Sequence, residues 1–89
     1  MPYLIVEYEF NPPITEEGLA QMGTKLAPCA ALRRIRRLRT VIAADGRRGF
    51  CELEAPDAET VREAFRSARV PFHAVWPARL IDGLPPSEG

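Results

Sequence analysis

The sequence is poor in the residues from which most recognisable sites are built. It holds one histidine, His73, and two cysteines, Cys29 and Cys51, with no Cys-x-x-Cys spacing. That excludes the ligand spacings of structural zinc sites and the paired thiols of a redox motif, and reads both cysteines as buried free thiols. No Ser-His-Asp set, Cys-His pair or glycine-rich phosphate loop occurs. Charge of one sign is also missing. Twelve basic residues balance twelve acidic ones, which argues against the global electrostatic footprint of a nucleic-acid or anionic-membrane binder. The first residues, Met1 to Glu7, carry no basic stretch and reach an acid before any spanning length accumulates, so neither a signal peptide nor a membrane span is expected. The expected setting is cytoplasmic. Repeats and low-complexity tracts are absent as well.

The chain does hold one strong organising signal. Arg37 to Pro56 reads as two strands joined at Asp45-Gly46, a pair that supplies the positive φ angles of a type I′ hairpin turn. With a two-residue turn, Val41 faces Phe50, Arg39 faces Glu52 and Arg37 faces Glu54, so opposite charges meet twice. Leu38, Thr40, Ile42, Cys51 and Leu53 then share the other face, and a one-residue slip would bury the charges instead.

Tyr3 to Phe10 alternates as a half-buried strand, with Leu4, Val6, Tyr8 and Phe10 facing the core. Asn11-Pro12-Pro13 ends it. Thr15 suits an N-cap, Glu16 and Glu17 suit the first helical turn, and Leu19, Met22 and Leu26 recur at helical spacing. Pro28 is expected to stop or kink this helix; Cys29 to Arg34 fits either a further turn or an irregular link. Asp57 caps a second helix whose apolar stripe is Val61, Ala64, Phe65 and Ala68. Phe72 to Ile81 reads as a last strand, and Pro77 assigns it to a sheet edge.

Strand, helix, strand, strand, helix, strand is the α+β, ferredoxin-like βαββαβ order, with an antiparallel sheet of order 4-1-3-2 and both helices on one face. One domain over residues 1–83 is expected, followed by a loose tail over 84–89. An 89-residue chain buries only about 60–65% of its unfolded surface, so pairing with a second copy would help it. The open sheet face should carry Tyr3, Ile5, Glu7, Glu9, Arg37, Arg39, Val41, Phe50, Glu52 and Glu54. The last strand adds either Val75 and Arg79 or Trp76 and Leu80.

The stretch from Gly46 through Phe50-Cys51, along the alternating strand into Ala55-Pro56-Asp57 and its helix, and on to Val70-Pro71-Phe72, resembles a family of small bacterial domains of unknown function that includes small nickel-binding proteins. The resemblance runs best from about Leu38 to Asp82. It implies a dimeric ferredoxin-like fold and raises nickel, or another divalent metal, as a ligand. The family's metal ligands find no residue-by-residue match, because nickel favours imidazole and the chain has a single His73.

Three readings of function follow. The first is a homodimeric binding module whose open face meets its twin over Tyr3, Ile5, Val41 and Phe50, with Arg37, Arg39, Glu52 and Glu54 around them. Any divalent metal is then expected near Glu7, Glu9 and His73, the two acids lying about 7 Å apart on one strand. The second is a small dimeric α/β-barrel enzyme with an acid-base pocket on the same face, drawing on Glu7, Glu9, Glu52, Glu54 and His73. The third is RNA binding, since RNA-recognition domains share this topology and stack bases on third-strand aromatics. Arg48-Gly49-Phe50 fits that pattern, but Glu52 and Glu54 stand where bases should stack, and Arg33, Arg34, Arg36, Arg37, Arg39, Arg47 and Arg48 read more simply as solvated or ion-paired side chains.

Overall fold

A computed structural model of the chain describes residues 1–81 and 83. It contains β1 (Tyr3–Glu9), α1 (Glu16–Leu32), β2 (Arg36–Ile42), β3 (Arg48–Glu54), α2 (Ala58–Ala68) and β4 (Ala74–Pro77). The strands form one antiparallel sheet of order β2-β3-β1-β4, the expected order read from its other edge. The expected tail over 84–89 lies outside the described residues. Among those described, no helix is long and apolar enough to cross a membrane.

Alternation places the core. Leu4, Val6 and Tyr8 of β1, Cys51 and Leu53 of β3 and Val75 of β4 are buried in one cluster with Leu26 and Ala30 of α1 and Val61, Ala64, Phe65 and Ala68 of α2. Both helices therefore cover the same sheet face. Phe65 is fully buried and meets Phe72 edge-on, ring centres 5.7 Å apart, a favoured aromatic geometry.

The helix starts follow their capping signals. Thr15 Oγ1 accepts from the Gly18 N–H at 3.0 Å, and Asp57 Oδ1 accepts from the Thr60 N–H at 2.7 Å. Pro28 neither stops nor breaks α1, which runs on to Leu32 and so settles Cys29 to Leu32 as helical. Proline removes one ladder bond; the Cys29-Ala30-Ala31-Leu32 run beyond it still docks Ala30 in the core.

Two features of the hairpin differ from expectation. Its turn is not a two-residue type I′ turn: the Gly46 N–H reaches the Ala43 carbonyl at 2.8 Å, the Ala43 N–H reaches the Arg48 carbonyl at 2.8 Å, and within the turn only Gly46 has positive φ, at 73°. Gly46 also lies beneath the Pro13-Ile14 segment, where a Cβ would come within 3.0 Å of the Ile14 carbonyl oxygen.

The second difference is a register shift in β2. Val41 pairs with Phe50 and Arg39 with Glu52 as expected, but between Arg39 and Arg37 the register slips, so that Arg37 faces Leu53 and Arg36 faces Glu54. Leu38 is the extra residue and is 41% exposed, against its expected place in the core. The slip brings Ile35 to the buried side, where strict alternation from Val41 would have turned it outward. Such a bulge trades one ladder pairing for a change of facing.

β4 is shorter than the expected Phe72–Ile81 strand, although the His73 and Ala78 N–H groups each add one bond to β1, at 2.7 and 2.9 Å. Pro77 sits on this edge strand opposite Leu4. Val75 points to the core and Trp76 to the open face, which decides between the two expected sets.

Candidate functional site

The uncovered sheet face is built from three cross-strand rows. Val41, Phe50, Glu7 and Ala74 form one; Arg39, Glu52, Ile5 and Trp76 the next; Arg36, Glu54 and Tyr3 the third. The rows interleave apolar and charged side chains. Val41, Phe50 and Trp76 are 54%, 43% and 39% exposed, while Ile5, at the sheet centre, is already screened to 9% by its neighbours.

Each acid on this face is engaged. Glu52 accepts on both oxygens, from the Tyr3 hydroxyl at 2.7 Å and from Arg39 Nε at 2.7 Å. These two bonds hold its carboxyl below the usual glutamate range, Arg39 contributing most. The same bond raises the Tyr3 hydroxyl, which must keep its proton to donate. Glu54 meets Arg36 Nη1 at 3.4 Å, and Glu7 Oε2 accepts the Trp76 indole N–H at 2.5 Å. Glu9 Oε1 lies 3.5 Å from His73 Nδ1.

This geometry bears on each expected site residue. Tyr3, Ile5, Arg39, Val41, Phe50, Glu52 and Glu54 share the open face. Arg37 does not: the bulge carries it to the helix-covered side, where it lines a cleft with Leu26 and Cys51, and Arg36 takes its expected place against Glu54. Trp76, one of two alternatives in the sequence, belongs to the face. The signal for it was Val75, the β-branched residue whose burial fixes the parity of its neighbour.

For the metal reading, antiparallel pairing of β4 with β1 does bring His73 beside Glu9. Glu7 is turned to Trp76, and among the described residues no three His, Cys, Asp or Glu side chains gather as a metal-holding group. At this corner the described residues bring together two donors, Glu9 and His73.

For the enzyme reading, a general acid needs a carboxyl held protonated near working pH. Glu52, on this face, is shifted the other way, its carboxyl held below the usual glutamate range by Arg39 and Tyr3. For the RNA reading, the register confirms that Phe50, Glu52 and Glu54 follow one another along the face, with carboxylates where stacked bases would lie. Cys51 is buried, and burial raises its thiol. A nucleophilic cysteine needs the opposite shift.

Comparison with known proteins gives matches of two kinds. A family model described as "Nickel responsive protein SCO4226-like" matches residues 3–77. The crystal structure of SCO4226 from Streptomyces coelicolor A3(2) superposes with a TM-score of 0.79 at 15% identity, over 89% of this chain and 98% of that one. At that identity the structural likeness speaks for the fold. No match is found among curated proteins.

Proposed function

This chain belongs to the SCO4226-like family of nickel responsive proteins, and from that premise we propose that it acts as a homodimeric module, its uncovered sheet face meeting the same face of a second copy. The observation that supports the reading is the group of exposed Val41, Phe50 and Trp76 around Ile5, on a face that no helix covers. Full burial of such a side chain from water is worth roughly 1.5–3 kcal/mol, and Val41, Phe50 and Trp76 each still have about half of their surface to bury. A two-fold contact would bury every one of them twice. The paired charges Arg39–Glu52 and Arg36–Glu54 would then form a polar rim along the β2 side.

Nickel enters through the family's description. If the chain contacts a divalent metal, the contact belongs at Glu9 and His73, where a carboxylate and an imidazole already meet, a donor pair that suits nickel, zinc or copper. Its two free thiols suit a reducing, cytoplasmic setting.

Light scattering at micromolar concentration tests the dimer. Wild type should run as a dimer and Phe50→Glu, which puts a third carboxylate beside Glu52 and Glu7, as a monomer. A monomeric wild type or an undisturbed variant overturns the reading. Calorimetric nickel titration of wild type against His73→Ala tests the metal contact, which identical isotherms would remove.

A further inference from the structure

On the other side of the sheet, α1 stands away from β2 and leaves a cleft of about 120 Å³ between Tyr8, Leu19, Met22, Gly23, Leu26, Arg37, Thr40 and Cys51. Its inner wall is apolar. At its floor the Cys51 thiol stands beside the Thr40 and Tyr8 side chains, and no buried side-chain nitrogen or oxygen among the described residues lacks a partner. Such a floor holds no charged group.

Its mouth differs. Arg37 is the one charged side chain of the lining, exposed, and among the described residues it makes no ion pair or hydrogen bond. Its neighbours Arg36 and Arg39 are both held by carboxylates of β3. The bulge has thus turned one arginine of the strand away from the acids and set it over an apolar hollow. Gly23 faces that mouth from α1, where a Cβ would stand in ordinary contact with Arg37 Nη1 at 3.5 Å and a longer side chain would reach into the hollow.

We propose that this cleft binds a small amphipathic monocarboxylate, its short apolar tail against Leu19, Met22 and Leu26 and its carboxylate on the Arg37 guanidinium. Arginine matches a carboxylate with two parallel N–H donors. Size limits the tail: an engineered apolar cavity of about 150 Å³ takes up benzene, so this cleft accepts roughly four or five carbons. A phosphate ester or nucleotide would bring a second negative charge that no other side chain of the lining meets.

The test is a titration followed by amide chemical shifts, with hexanoate as the probe and hexanamide and acetate as controls. Hexanoate should give saturable shifts at Gly23, Thr40 and Cys51, with at least tenfold weaker binding to Arg37→Met. Gly23→Leu, which fills the mouth from a helix position that tolerates leucine, should lose binding as well and stands in should Arg37→Met fail to fold. No saturable shift, equal binding of hexanamide, equal binding of acetate, or an unchanged affinity in the variants each overturns the proposal. Because the cleft lies opposite the open face, the result is independent of oligomeric state; repeating the titration in Phe50→Glu separates the two readings.

Discussion

Trp76 donates its indole N–H to Glu7 across the β1–β4 edge, at 2.5 Å. The bond ties the four-residue edge strand to the central strand through side chains as well as backbone, and it draws Glu7 away from Glu9 and His73. A double-mutant cycle with Trp76→Phe and Glu7→Gln should give a coupling energy of about 0.5–1.5 kcal/mol in urea unfolding. Exposure of the pair places the value toward the lower end. A coupling indistinguishable from zero would remove the bond as a tie on β4.

Leu53 is fully buried between Leu4 on β1 and Arg37 on β2 and faces both helices. Leu53→Ala leaves a cavity at the centre of the core and should lower the unfolding free energy by about 2–5 kcal/mol with an unchanged denaturant slope. A near-neutral change would mean that the β3 faces are reversed.

Strand alternation explains why so much of the fold could be read in advance. Leu4, Val6 and Tyr8 against Ile5 and Glu7, and Cys51 and Leu53 against Phe50 and Glu52, are facings that no nearby slip preserves. β2 resisted the same reading because its bulge is decided by Ile35, an apolar residue isolated among arginines, whose burial outweighs the exposure of Leu38. The open face was legible as a set, but its pairings were not: the partners of Glu52 include Tyr3, 49 positions away. The Arg37 cleft was hidden for the same reason as the bulge that makes it.

Each helix ends with an arginine in the left-handed region, Arg34 with φ 58° just after the α1 cap Arg33 and Arg69 with φ 59° as the α2 cap itself. At α2 the Arg69 and Val70 N–H groups close back on Arg66 and Phe65, the pattern in which glycine is favoured. A side chain there costs about 1 kcal/mol that glycine avoids. Arg69→Gly and Arg34→Gly should therefore each stabilise the fold by about 0.5–1 kcal/mol, seen as a raised urea midpoint; a lowered midpoint would show that the arginine side chains contribute more than the backbone strain costs.

Glu52 supplies the pH dependence of the open face. Its carboxyl is held below the usual glutamate range first by the Arg39 hydrogen bond and then by Tyr3, so the folded state binds a proton less readily than the unfolded state. Stability from this group is fully present above the unfolded glutamate value and is lost as pH falls through the lower folded value. Urea unfolding from neutral to acid pH should show wild type losing stability across that interval. Glu52→Gln, uncharged at every pH, should flatten the acid limb while leaving the shape of the curve at neutral pH unchanged. Arg39→Met should flatten it too, because it removes the largest cause of the shift, whereas Tyr3→Phe should flatten it less. An acid limb identical in wild type and Glu52→Gln would show that the carboxylates of the other pairs, not this one, govern the response.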